Sequence, residues 1–199
     1  MTFIISNTII ISAYTEDFFA MTNAKLDPLV EHALSSGLLH GDSNTLQAMG
    51  ELLTMACDYS KIARGVIYNA ISLNTKIYAC NDLDYPGLYR HDDQSIYCHK
   101  NLFLFKKLIN KVYSMCVLVH ELRHACQFSV FDRSKYKINL SNNWVNKLMR
   151  VGISEADAAA IHIASLYQLQ KNFGLKDIDI CNRFGKPDQL LHRTFTKSY

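Results

Sequence analysis

Residues 117–126 read VLVHELRHAC, a run in which two histidines, a glutamate and an arginine interrupt an otherwise apolar stretch. Positions 120 to 124 form H-E-x-x-H, and the helical spacing of the surrounding residues predicts one helix from about Leu102 to about Phe131. On that helix His120 and His124 lie one turn apart on the same face, so both imidazoles can bind one cation. Imidazole nitrogen suits zinc, at bonds of about 2.0–2.1 Å. Glu121 projects roughly 100° around the axis from His120, beside such an ion and near a water bound to it. The spacing therefore separates ligand work from proton work. Leu118, Leu122, Ala125 and Cys126 fall broadly opposite the histidines, while Tyr113 and Val117 share their side, so the helix should be buried. Polar groups in such a place are costly unless paired or ligated, and a metal would satisfy both histidines at once. The competing reading makes them core histidines bonded to backbone carbonyls, with Glu121 paired to Arg123 or a lysine.

Two histidines need a further protein ligand, ideally from a helix that packs alongside. "SEADAAAIH" (154–162) supplies Glu155, Asp157 and His162, and its alanines permit close approach. Glu155 is the favoured third ligand, with His162 and Asp157 as alternatives; Asp157 also has a role as a cap, with Ser154 as N-cap. Arg123 and Gln127 fall within about 60° of the ligand side, within reach of Asp157, which would orient the second helix by a charge-assisted bond.

Outward from this pair, residues 16–36 carry helical spacing that stops at Gly37, and a second pattern runs from about 44 to Ile62 with Asp42 or Ser43 as cap. "TKIYAC" and "QSIYCHK" read as two strands of a small sheet, joined by a loop, "NDLDYPGLYRHDD", dense in turn formers. A short helix near Trp144 to Met149 precedes the "SEADAAAIH" helix, which Gly174 ends, and "KPDQLLHRTF" suggests a last short one. Helices, then strands, then helices argue for an α+β fold, mainly helical, with a small β-sheet flanking the HExxH helix. We expect one domain over 1–199, with a helical part at about 1–72, the sheet and HExxH helix at about 73–131, and the third-ligand helix and tail at about 132–199.

The bulk numbers agree with one packed domain: 199 residues, 49% hydrophobic and 20% charged. The net charge of +3 comes from scattered residues, which argues against a nucleic-acid partner. Six cysteines, at 57, 80, 98, 116, 126 and 181, form no CxxC pair and read as reduced thiols of an intracellular protein. The apolar start, MTFIISNTIIISAYTEDFF, lacks a basic n-region and a clean cleavage site, and no eighteen-residue apolar window suggests a membrane span. A monomer in the cytoplasm is expected, or one secreted or delivered into another cell without a signal peptide of the usual kind.

"HELRHACQ" followed by "EADAAA" resembles a group of small zinc metallopeptidases of bacteria and phages, with an HExRHAxQ helix and a later E-x-D-A helix. The resemblance covers about residues 95–165 and leaves the N-terminal third outside it. It implies a zincin-like fold and a gluzincin-like site: His120, His124 and Glu155 on Zn2+, and Glu121 as general base toward a zinc-bound water. It also implies that the strand "SIYCHK" borders the cleft and holds an extended peptide. Cys126 departs from the pattern, where a larger aromatic is expected. The function so read is hydrolysis of peptide bonds in a protein or peptide substrate, a dedicated protein target being favoured. Two alternatives stand beside it: a zinc-stabilised, catalytically inactive binding module or effector, and a metal-free helical adaptor.

Overall fold

Asp27 accepts a hydrogen bond from Leu29 N (2.9 Å) and Pro28 occupies the first turn, so helix α1 (Pro28–Ser35) starts later than the hydrophobic spacing implied. The computed structural model describes residues 25–130, 144–177 and 179–180, with backbone alone at 128–130 and 144–151. The expectations for 16–24 and for the tail at 186–195 lie outside the described residues. Gly37 follows α1 at φ +66°, a left-handed stop as anticipated. Asp42 caps α2 (Ser43–Tyr59), accepting from Thr45 N at 2.9 Å.

The spacing from 44 to 62 suggested one helix, and the chain makes two. Ser60 is extended (φ −141°, ψ 113°); its N–H closes α2 on Ala56 O, and its Oγ accepts from Ala63 N to open α3 (Lys61–Ser72). Periodicity carries across the break because both helices bury one face in the same core, including Leu52, Leu53, Ala63 and Ile67.

The sheet has four strands, twice the number expected: β1 (Leu39–His40), β2 (Lys76–Cys80), β3 (Gly87–Arg90) and β4 (Ser95–His99), in the order β1-β2-β4-β3. β1, β2 and β4 run parallel, and β3 is antiparallel to β4. β3 comes from the segment read as a loop. Its turn formers belong to the connections on either side, and Leu88, Tyr89 and Arg90 alternate exposed, buried, exposed. β4, the "SIYCH" strand, is paired on both sides and is therefore interior, so it has no edge to offer a peptide. Among the described residues the edges are β1 and β3, and β3 is the edge that packs on α4.

Lys100–Leu102 forms a single 3-10 turn, and α4 (Leu108–Val130) starts six residues later than the spacing suggested. α4 runs through the middle of the molecule, packed against α2, α3, β3, β4 and the long α5 (Trp144–Phe173). Val112, Met115, Cys116, Leu118, Val119, Leu122, Ala125 and Cys126 are all buried. A small residue at 126 fits because Cys126 Sγ lies 3.6 Å from the Val66 carbonyl, where α3 crosses closely behind. The cysteines at 57, 80, 98, 116 and 126 form no disulfide.

α5 is one continuous helix. The expected separate helix near Trp144 is its first turns, and Ser154 sits well inside it rather than at an N-cap, so the Ser154–Asp157 capping box does not form. Gly174, at φ +63°, ends it. Five helices and a small four-stranded sheet among the described residues make this an α+β fold, mostly helical. None of the described helices is long and apolar enough to cross a membrane.

Candidate metal centre

α4 and α5 pack along each other, and the histidine face of α4 meets the Glu155 turn of α5. His120 Nε2 and His124 Nε2 lie 3.2 Å apart. Glu155 Oε2 is 3.4 Å from the first and Oε1 is 3.4 Å from the second. A tetrahedral ion with bonds of about 2.0–2.1 Å holds its donors about 3.3–3.4 Å apart, so the two imidazole nitrogens are spaced as such an ion requires and each has one of the two Glu155 oxygens at a similar distance. Taking one donor atom from each residue, the three lie within 4.8 Å of one another. Among the described residues this is the one group of three or more His, Cys, Asp or Glu donors able to hold a metal. Two imidazoles and a carboxylate are also the right chemistry for zinc.

The other two candidates for third ligand are placed elsewhere. Asp157 turns its Oδ2 to Arg123 Nε (2.7 Å) and Gln127 Nε2 (2.6 Å), and despite burial those contacts hold its pKa down. His162 lies edge-on to His120, ring centroids 6.0 Å apart, outside the three-donor group. Burial, and next the charge of His120, depress its pKa to about 3, so it stays neutral.

Electrostatics tie the donors together. Burial opposes ionisation of Glu155, but hydrogen bonds and charge from His120 and His124 outweigh it and bring the carboxyl to about 2. Burial likewise works against a charged His124, yet the hydrogen bond to Glu155 and the charges of Glu121 and Glu155 raise its pKa. Below that pKa, the protein without metal keeps a proton where the ion would sit.

Glu121 stands beside the donors and not among them. Burial raises its pKa, partly offset by His120, His124 and the main-chain N–H of Tyr89. That N–H donates to Glu121 Oε2 at 2.8 Å. The strand register explains it. Pro86 O accepts from His99 N (2.9 Å), so in this antiparallel ladder the polar groups of residues 86, 88 and 90 face β4, and those of 87 and 89 face outward over α4. Such proximity requires Gly87: a Cβ there would lie 2.9 Å from Glu121 Cγ and 3.1 Å from Val117 Cγ1. No element of the sequence reading singled out Gly87 or Tyr89. The period-2 pattern of G-L-Y-R was a signal for a strand, masked by the turn formers around it.

His124 is held from behind. Its Nδ1 lies 3.0 Å from Gln127 Oε1 and 3.2 Å from Ser154 Oγ, and Gln127 Nε2 donates to Ser154 O at 2.9 Å. Ser154, read as a cap, spends its hydroxyl on this contact instead, donating to Gln127 Oε1. Arg123 meets Asp157, not Glu121.

No family model, curated protein or solved structure matches the chain. Function is therefore read from the donors and their surroundings.

Proposed function

We propose that this chain is a zinc-dependent, zincin-like peptidase acting on a protein or peptide, with His120, His124 and Glu155 holding Zn2+ and Glu121 as general base. The observation that carries this reading is the convergence of two imidazole nitrogens 3.2 Å apart with a carboxylate whose two oxygens each lie 3.4 Å from one of them, the three residues' donor atoms lying within 4.8 Å of one another. Catalytic zinc sites use three protein donors, whereas structural ones use four. When bound, the ion supplies Lewis-acid chemistry, acidifying water and polarising a peptide carbonyl.

The chain's own residues supply the rest. Glu121, made more basic by burial, takes a proton from water and returns it to the leaving amine. The Tyr89 N–H restrains Oε2 and leaves Oε1 for that proton. The outer edge of β3, where Glu121 accepts from the Tyr89 N–H, is the strand edge beside the donors, and an extended peptide would run along it and α4 past Glu121. This role passes to β3 from the strand to which the family resemblance would have assigned it.

The Tyr89–Glu121 bond also favours a second reading, a zinc-held binding module in which the engaged carboxylate never turns over. One experiment separates the two. Elemental analysis of protein purified without chelators should give one zinc per chain, and a peptide-library digest should show cleavage that Glu121→Gln abolishes while keeping the zinc. Zinc without cleavage in the unsubstituted chain would select the binding module; no zinc at all would end both readings.

A further inference from the structure

We propose that Gln127 is a positioning residue of this centre: one buried amide sets the tautomer of His124 and also fixes the register at which α5 presents Glu155. The proposal rests on the metal reading given above and deepens it.

Gln127 is 2% exposed, so its hydrogen bonds form away from water and are costly to leave unmade. Its orientation follows from its partners. Ser154 O and Asp157 Oδ2 both only accept, so the NH2 group must face them, at 2.9 and 2.6 Å. Oε1 therefore faces His124 Nδ1 at 3.0 Å, and Nδ1 must carry the proton. With the proton on Nδ1, the lone pair lies on Nε2, the atom that points at His120 and Glu155.

The same side chain reaches across to the other ligand helix. Gln127 and Arg123, one turn apart on α4, grip α5 at Ser154 and Asp157. Those two positions bracket Glu155. The carboxylate thus stands at the histidines before any ion arrives, and little ordering is left for binding to impose.

A glutamine can do both jobs because it has an acceptor at one tip and two donors at the other. A carboxylate of the same shape cannot. It keeps the contact with His124 but loses both donors, facing the Asp157 carboxylate with like charge and the Ser154 carbonyl with a second acceptor. This yields a test of sign. If residue 127 merely oriented the imidazole, Gln127→Glu should bind zinc more tightly, because a carboxylate partner raises ligand basicity. If it clamps α5, the same variant should bind more weakly.

The experiment is zinc affinity of the full chain, prepared metal-free and measured by competition with a chelator. We expect Gln127→Glu and Gln127→Leu to lower affinity by about 10–100-fold, with one zinc still bound at saturation. Asp157→Asn, a milder change should Gln127→Leu fail to fold, should give a several-fold loss. In the metal-free protein the Gln127 side-chain NH2 should exchange slowly with solvent, a readout that needs neither zinc nor activity. Unchanged or tighter zinc binding in Gln127→Glu, or a rapidly exchanging Gln127 amide, overturns the clamp while the peptidase reading stands. A wild-type chain that takes up no zinc overturns both, and the two failures are thereby told apart.

Discussion

Gly87→Ala perturbs the closest approach between the edge strand and the helix that bears the donors. The added Cβ would meet Glu121 Cγ at 2.9 Å and Val117 Cγ1 at 3.1 Å. Ordinary carbon contacts lie at about 3.5–4.0 Å, so strand or helix must give way by roughly 0.5–1 Å. Val117 is β-branched and stiff at χ1. Glu121 is tethered through Oε2 to the Tyr89 N–H. Overpacking of this kind costs about 1–3 kcal/mol. If the displaced strand also breaks the Tyr89–Glu121 bond, a hydrogen bond to a charged group adds about 1.5–3 kcal/mol. At about 2–4 °C per kcal/mol for a chain of this size, the melting temperature should fall by roughly 2–12 °C from overpacking alone and by roughly 5–24 °C if the hydrogen bond is lost as well. Zinc content should not change, because none of the three donors lies among the nearest atoms to the new methyl group. Hydrolysis should drop with kcat rather than KM if the base is displaced. Gly65→Ala is the internal control: nothing lies within 4 Å of its Cβ on the exposed face of α3, so it should be neutral or stabilise by about 0.5–1 kcal/mol. Calorimetry, zinc analysis and peptide hydrolysis on the two variants decide the matter. A Gly87→Ala protein that melts and cleaves like the parent would refute the close contact, and one that loses zinc would refute the separation of β3 from the donors.

Glu155→Gln should cut zinc affinity sharply while leaving far-ultraviolet circular dichroism intact; retention of parental affinity would mean that the carboxylate is not a ligand. Zinc should raise the melting temperature in a concentration-dependent way, stabilising by about 2.7 kcal/mol at 100 times Kd, and the shift should vanish in His120→Ala. Without metal, the Glu155 pair gives stability a pH dependence. The carboxyl, lowered to about 2, contributes above its ordinary 4.5 and loses that contribution as pH falls toward 2. His124, raised, contributes below its ordinary 6.5 and loses that contribution as pH rises through the raised value. Melting curves of metal-free protein should therefore show a contribution that is largest between pH 4.5 and 6.5 and is absent from Glu155→Gln; an identical profile in that variant would exclude the pairing. Leu122→Ala, at a side chain 1% exposed behind the donors, should cost about 2–5 kcal/mol by urea unfolding.

Much of the local architecture was legible in the chain because it depends on neighbours in sequence. Asp42 opens a helix, and Gly37 and Gly174 close helices, where cap chemistry says they should. The burial of α4 follows from apolar residues on most of its sides, among them Leu118, Leu122, Ala125 and Cys126. Failures came where one signal admits two structures. Ser154 and Asp157 spell a capping box, yet both side chains face α4 and its polar groups claim them. The 44–62 pattern runs through Ser60 because a change of helix direction leaves burial periodicity in place. The segment holding β3 has four strand residues among turn formers, too few for alternation to stand out.

From sequence alone, an α-helical repeat of 3.6 residues puts the imidazoles at 120 and 124 on one side and Glu121 beside them. That is a property of a single helix and requires no partner. Which of Glu155, Asp157 and His162 would complete the set was beyond it, since all three lie on one later helix and differ only in how that helix crosses α4. Packing decided it: Arg123 and Gln127 take Asp157, burial keeps His162 neutral and apart, and Glu155 is left facing both Nε2 atoms. The edge strand, too, is a tertiary outcome, because a strand becomes an edge only when the sheet order is set by contacts far apart in the chain.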